Sequence, residues 1–335
     1  MKSLKFVLIN SLPLNIISGG NVYNHNLCLA LKEKGIEIEY IFTKNCEETI
    51  VQIDEDCIIL LDSYCLNEQV NWNHLMHKKI IVLLHLAPSA DDQKNHDKLS
   101  KIIEAEQIVF KNFPIVTAGK KAIDYLVEKY HFGINNYVII PPAIKSTWKK
   151  KISYHHLPKK LLVVGTITKR KGYERLIEVL SHLKQYDWIC DCYGSVSDEN
   201  LLVHLNHLIL QNALENRIQF CGTIDHNSMD DVYHHYDLLL QLSDEENNSV
   251  SLVEAIASGL PFVSTPTGNY SYFKEKNCGF ICTTFDSGTI AQELRPFFTH
   301  PEKYRSLLQS NDNIKLETWD ENIDNLIKFA ENQWN

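Results

Sequence analysis

Two carboxylates, Glu246 and Glu254, bracket seven residues in the stretch Asp244-Glu245-Glu246-Asn247-Asn248-Ser249-Val250-Ser251-Leu252-Val253-Glu254-Ala255-Ile256-Ala257-Ser258-Gly259-Leu260-Pro261. The pattern reads as a loop that runs into a helix over about residues 251–258. Asn or Ser suits its N-cap, and Gly259 with Pro261 stops it. The first turn of such a helix offers backbone N–H groups without helical partners and the positive end of the dipole, which suit an anion. Glu254, one or two turns in, and Glu246, on the loop, can then accept bonds from hydroxyls on either side. A phosphate flanked by two polyols is the chemistry of a sugar nucleotide.

Other segments sit at strand–loop–helix junctions, where phosphate chemistry is expected. Ser18-Gly19-Gly20-Asn21 precedes a first helix over 22–34, and its two glycines let backbone approach a ligand. Gly165-Thr166-Ile167-Thr168-Lys169-Arg170-Lys171-Gly172 follows a strand and precedes a helix. It gathers three cations, of which lysine meets a phosphate as a point charge and arginine as a fork. His85 ends an apolar run over 79–84, where a side chain points toward the ligand end of a sheet. Asp54-Glu55-Asp56 has a spacing used for divalent cations, but it precedes a strand instead of closing one, so a solvated turn is the expectation.

Short β-branched runs alternate with helical patterns, which predicts parallel sheets built from βαβ units. Strands are expected over 5–10, 37–42, 57–61, 79–84, 115–116 and 137–140. After a basic, polar stretch they resume over 161–164, 189–193, 218–220, 238–242 and 262–264. Besides the helix over 22–34, which stops at Gly35, helices are expected over 97–106, 120–131, 173–182, 199–211 and 230–235. A closing amphipathic helix covers 319–334. The 335 residues fit two domains. The expected division is 1–148, a linker over 149–160, 161–316, and a closing helix over 317–335, with ligands at the carboxyl ends of the strands. The first 150 residues hold 17 Lys and 17 acidic residues, so the net charge of −9 falls on the remainder. Neither part carries a nucleic-acid footprint. Nine scattered cysteines without a C-x-x-C pair point to reduced thiols in a cytoplasmic protein. No run of about 18 apolar residues suggests a membrane span.

In this order the pieces resemble the GT-B glycosyltransferases, and within them the large retaining family 4. Gly19-Gly20 matches that family's N-terminal glycine loop, and His85 its strand-end histidine. Arg170-Lys171-Gly172 matches its diphosphate element, and Phe220-Cys221-Gly222 a strand end near the base. Ser243 with Glu246 and Glu254 matches the S-x-x-E and E-x7-E elements. Trp319 matches the tryptophan that opens the last helix. The resemblance implies two Rossmann-like domains facing across a cleft, with the last helix crossing back to the first domain. The first domain would be the acceptor side and the second the donor side.

It further implies catalytic roles for His85, Lys171 and Glu246. Donor binding would fall to Gly19, Gly20, Arg170, Lys171, Gly222, Asn248, Ser249, Val250, Ser251 and Glu254. Glu254 would hold the ribose, Glu246 the sugar hydroxyls, and Lys171 with the backbone of residues 248–251 the diphosphate. The substrate would be a UDP- or GDP-type sugar, with no cofactor and no metal. The acceptor would be a hydroxyl of a glycan, a lipid-linked saccharide or another molecule, with peripheral contact at the inner face of a membrane left open. The sequence departs from the family's pattern at Thr166, where arginine is common, and at Ser271, where glutamate is common. Pro142-Ala143 replaces an Asn-Gly, and Asn247-Asn248-Ser249 replaces a Gly-Phe-Gly type loop. A catalytically inactive partner of an active transferase is the alternative that Thr166 and Ser271 motivate, and a sugar-nucleotide epimerase is a further one. A nicotinamide-dependent oxidoreductase needs a Gly-x-Gly-x-x-Gly that Ser18-Gly19-Gly20 does not supply.

Overall fold

A computed structural model describes residues 4–13, 18–66, 70–90, 96–131, 133–144, 148, 150, 157–225, 228–268, 270–312 and 314–334. Residues 149 and 151–156 of the expected linker, and Asn269, lie outside the described residues. The first sheet is reached through β1 (Lys5–Asn10), α1 (Gly19–Glu33), β2 (Glu37–Phe42), α2 (Cys46–Gln52), β3 (Ile58–Asp62) and β4 (Ile80–Leu84). It continues through α3 (His96–Asn112), β5 (Ile115–Thr117), α4 (Lys120–Tyr130) and β6 (Tyr137–Ile139). A second series follows: β7 (Lys160–Val164), α5 (Tyr173–Ser181), β8 (Ile189–Tyr193), α6 (Glu199–Gln211), β9 (Ile218–Gly222), α7 (Met229–His234) and β10 (Leu238–Gln241). It ends with α8 (Val250–Ser258), β11 (Phe262–Ser264), α9 (Tyr270–Glu275), β12 (Phe280–Ile281), α10 (Ser287–Thr299), α11 (Pro301–Ser310) and α12 (Trp319–Trp334).

Each series builds one sheet of six parallel strands, ordered β2-β1-β3-β4-β5-β6 and β12-β11-β10-β7-β8-β9. The chain forms two Rossmann-like α/β units. One holds β1, Gly20–Pro142 and Glu317–Asn335; the other holds Ala143–Leu316. Strands β3, β4 and β10 are buried along their whole length, the burial of sheets covered on both faces. That explains why they read as apolar runs instead of alternating ones, broken only at the last residue of β3, Asp62, and of β10, Gln241. In each sheet the strand order reverses once, beside β1 in the first and beside β7 in the second. In doubly wound α/β sheets ligands bind at the carboxyl ends of the strands beside such a reversal.

The expected elements need four corrections. Helix α1 starts at Gly19, so the two glycines form its first turn instead of a loop before it. Glycine is a poor helix former, which hid the start. At Gly20 the space is tight, since a Cβ there would lie 3.2 Å from Cδ2 of His85. Helix α3 continues past Glu106, where its expected end stood. Glu106 lies fully buried on the apolar stripe and breaks the pattern that marks a helix. It is satisfied there by the N–H and hydroxyl of Ser89, each at 2.7 Å, and by the Tyr130 hydroxyl. Helices α2, α9, α10 and α11 and strand β12 join the elements read from sequence. Finally, α8 begins at Val250, one residue early, with Ser249 at its N-cap.

Helix α12 packs on the first unit. Asn322 Nδ2 donates to the Pro141 carbonyl at 2.7 Å, and the Trp319 ring meets the Tyr23 ring edge-on at 5.4 Å. Lys34 pairs with Asp324 at 2.5 Å. Among the described residues, no helix is long and apolar enough to cross a membrane.

Gly172 ends the 3-10 turn Lys169–Lys171 with φ +68°, and a Cβ there would lie 1.9 Å from the Leu242 carbonyl oxygen. Gly222 has φ +74°, but an added Cβ would meet nothing within 4 Å. Gly172→Ala should therefore cost at least about 2 kcal/mol, combining left-handed strain with a backbone clash. Gly222→Ala should cost only about 1 kcal/mol. Urea denaturation of both variants checks this, and equal losses would contradict it.

Candidate functional site

In the second unit the β7–α5 loop and the β10–α8 loop meet because β7 and β10 are neighbours, with Leu161 opposite Leu238 and Leu162 opposite Leu239. The loops are tied by backbone, the Asp244 N–H donating to the Arg170 carbonyl at 2.8 Å. Arg175 reinforces the join by donating to the Leu242 carbonyl at 2.8 Å and pairing with Asp244. Gly172 admits this approach, since any side chain there would strike Leu242.

Lys171 Nζ then reaches Glu246 Oε1 at 2.5 Å, and Arg170 Nη1 stands 3.5 Å from Glu246 Oε2. Arg170 also donates to the Glu245 carbonyl at 2.7 Å. Ser243 Oγ donates to Glu246 Oε1 at 2.9 Å, and the Glu246 N–H donates to Thr267 Oγ1 at 2.9 Å. Gly165 leaves room for the lysine stem, Lys171 Cε lying 3.3 Å from where its Cβ would be. Burial pushes Lys171 below its ordinary value, and Arg170 adds to that, while Glu246 pulls it back. Burial would raise Glu246, but the Lys171 and Arg170 charges and the bonds from Lys171 and Ser243 outweigh it and hold the carboxyl below its ordinary value. Two cations and one carboxylate leave one net positive charge where the two loops meet, an arrangement suited to an anion.

Helix α8 follows directly. Ser249 at its N-cap makes no side-chain cap. Its hydroxyl donates instead to Gln241 Oε1, as does that of Ser251 at 3.0 Å. Glu254 lies in the second turn, its Oε2 accepting from the Tyr233 hydroxyl at 2.8 Å. Burial raises it to about 8, and the Tyr233 bond opposes that. Thus Lys171, Arg170 and Glu246 come together in one cluster, while Glu254 has Tyr233 as its partner. Gly222 closes β9, Asn248 and Val250 flank the N-cap, Thr166 sits in the β7–α5 loop, and Ser271 is exposed on α9.

A polar group of its own forms at the strand reversal of the first unit. His85 Nε2 lies 2.9 Å from Asn24 Oδ1, and Asn24 Nδ2 donates to Asp62 Oδ2 at 2.6 Å. The Tyr23 ring meets the His85 ring edge-on at 5.1 Å. Since Asn24 offers its oxygen, His85 Nε2 carries the proton, and its other nitrogen is left as an acceptor. Burial lowers the His85 pKa, with Asp62 opposing, so the ring is neutral at pH 7. Gly19 and Gly20 open α1 beside this group. Sequence reading passed over Asn24, Asp62, Tyr233 and Gln241. Asn24, one turn after Gly20, and Asp62, closing an apolar strand, were the available signals. Asp54-Glu55-Asp56 forms the turn before β3, and among the described residues no cluster of three or more His, Cys, Asp or Glu is placed to hold a metal.

Glu254 links stability to pH. Its folded value of about 8 stands above the ordinary 4.5, so folding takes up a proton between them. The stability from this group is complete below about 4.5 and is lost as pH rises toward about 8, with a slope of at most about 1.4 kcal/mol per pH unit. Glu254→Gln should flatten that fall. Unfolding free energies that keep a constant offset from wild type across this window would refute the assignment.

The family model described as glycosyl transferases group 1 matches residues 144–313. Mannosylfructose-phosphate synthase of Agrobacterium fabrum is 24% identical over 242 residues, spanning 65% of this chain and 52% of that protein. The lipopolysaccharide core biosynthesis mannosyltransferase LpsB of Rhizobium meliloti is 24% identical over 203 residues, 59% of this chain and 56% of its own. The chain thus spans about half the length of these curated relatives. The fold is shared with sucrose-phosphate synthase of Thermosynechococcus elongatus, at a TM-score of 0.81 and 14% identity over 99% of both chains. It is shared too with HepE of Anabaena in complex with UDP and glucose, at a TM-score of 0.76 and 14% identity over 97% and 99%. From the Lys171–Glu246 loop pair to the family match that spans it, the chain belongs to the glycosyl transferases group 1 family.

Proposed function

We propose that this chain is a glycosyltransferase that moves a hexose-type sugar from a nucleotide diphosphate sugar to a hydroxyl acceptor. Transfer proceeds with retention of configuration and without a metal. The observation that carries this reading is the Lys171–Arg170–Glu246 cluster lying where strand order reverses, one loop away from the N-terminus of α8. It supplies positive charge for a leaving diphosphate and a carboxylate for sugar hydroxyls. The names of the relatives, a synthase and a mannosyltransferase, support sugar transfer, and the UDP and glucose of HepE favour a uridine diphosphate donor. LpsB, named for lipopolysaccharide core biosynthesis, favours glycan or glycoconjugate assembly.

In this reading residues 161–316 take the donor and residues 1–148 the acceptor, with a linker over 149–160 and a crossover helix over 317–335. Lys171, Arg170 and the backbone N–H groups at Ser249, Val250 and Ser251 stabilise the departing diphosphate. Arg170 takes the place of the arginine missing at Thr166. Glu254 holds the ribose, Gly222 lets backbone approach the base, and Glu246 holds the sugar. His85, neutral and locked by Asn24, accepts a hydrogen bond from a hydroxyl. The acceptor oxygen attacks the face from which the diphosphate leaves, the glycosidic bond to phosphate breaks, and a phosphate oxygen takes the acceptor's proton. The transition state is oxocarbenium-like, as in glycoside hydrolysis.

Thermal denaturation with UDP, GDP, ADP and TDP tests the donor. A ligand at about 100 times its Kd adds about 2.7 kcal/mol, and Glu254→Ala should abolish the response. No response from wild type to any nucleotide would overturn the reading. With the donor known, Lys171→Ala should lower kcat about 10²-fold. Proton NMR of the fresh product should give the donor's anomeric configuration, and inversion would refute retention.

A further inference from the structure

We propose that Gln241 is an anion-binding residue, its side-chain amide donating to the diphosphate at the start of α8. The inference rests on the transferase reading and adds a contact that neither the E-x7-E stretch nor the Arg-Lys-Gly turn contains.

Gln241 closes β10 and is 5% exposed. A buried primary amide needs partners for one oxygen and two N–H groups. Its Oε1 is engaged twice, by the Ser249 and Ser251 hydroxyls, and those hydroxyls lie 2.9 Å from one another. Its Nε2 is buried with no hydrogen-bond partner among the described residues. Leaving such a donor unmade costs more than an ordinary hydrogen bond returns, so a buried orphan calls for a specific explanation.

Location supplies the explanation. Ser249 is the N-cap of α8 and Ser251 its second residue, so the oxygen they share is pinned at the first turn. Nε2 is bonded to the same carbon as Oε1 and lies at that turn too. Ser249 is of a residue type that would normally cap the helix through its hydroxyl, yet that hydroxyl points to Gln241 and leaves the cap unmade. Both details act in one direction. The helix start keeps its backbone donors open, and a side-chain donor is held beside them at fixed orientation. An anionic oxygen at this turn would satisfy them together. Leucine or another apolar residue would suit the buried end of β10 better for stability alone, so the amide is explained by what it binds.

Isothermal titration with inorganic pyrophosphate and with UDP, on wild type, Gln241→Leu and Gln241→Glu, tests this. Gln241→Leu removes the donor and should weaken pyrophosphate binding about tenfold to a hundredfold, the range for a hydrogen bond to a charged group. Gln241→Glu keeps an oxygen for the two serines but sets a carboxylate against the anion, and should weaken it further. Unliganded melting temperatures report any folding defect separately. In wild-type protein labelled with 15N-glutamine, pyrophosphate should shift the Gln241 side-chain amide signals, which a purely structural role would leave unmoved. Wild type that binds neither pyrophosphate nor any nucleoside diphosphate would overturn the transferase reading itself. Binding by wild type with unchanged affinity in both variants, or with unmoved amide signals, would overturn the Gln241 assignment alone.

Discussion

The second unit's site depends on one constraint, the parallel pairing of β7 with β10. The turn after β7 carries the cations and the loop after β10 carries Glu246, and the two lie 75 residues apart in the chain. Parallel pairing sends both strands out of the sheet at the same end, so their loops must share the space above it. The carbonyl of Leu242 crosses so near Gly172 that no side chain fits between them. That crossing sets Lys171 on Glu246. Without it the cations would be three solvated side chains in an acidic unit, screened and worth little.

The two carboxylates of the motif illustrate how neighbours divide the work of similar residues. Both are buried, and burial alone pushes each toward the neutral form. Glu246 meets Lys171 and Arg170, whose charges outweigh burial and keep it ionised. Glu254 meets the Tyr233 hydroxyl, a neutral donor, and burial prevails. In the first unit the same logic gives a neutral His85, since burial prevails over Asp62. The charge state of each group follows from whether facing charges outweigh burial, and for Glu246 those charges, Lys171 and Arg170, come from another loop.

Much of this was legible in the residues. The alternation of β-branched runs with helical patterns placed most strands within a residue or two. Gly259, in the left-handed conformation, ends α8 where Gly-Leu-Pro stood. Where the reading failed, a tertiary contact had overridden a local signal. Glu106 looked like a helix end because its burial is redeemed by Ser89 and Tyr130, residues on other elements. Gly19 and Gly20 looked like loop because glycine is a poor helix former, and only the fold shows that at Gly20 a Cβ would press on His85. Gln241 looked like the unremarkable end of a strand, since nothing nearby in sequence reveals an amide buried between two serines.

Sequence by itself determined the chemistry available and the order of its parts: a cation-rich turn, a histidine at a strand end, and two glutamates bracketing a helix start. These are local properties, set by residue type, spacing and the periods of helix and strand. Tertiary structure alone decided which parts meet and in what state of charge. Strand order in a sheet is a global property, and a buried group's ionisation depends on the sum of desolvation and fields from side chains that only the fold brings near. Lys171 meets Glu246 because β10 returned to the flank of β7, and Glu254 remains protonated to about pH 8 because burial prevails over the opposing bond from the Tyr233 hydroxyl.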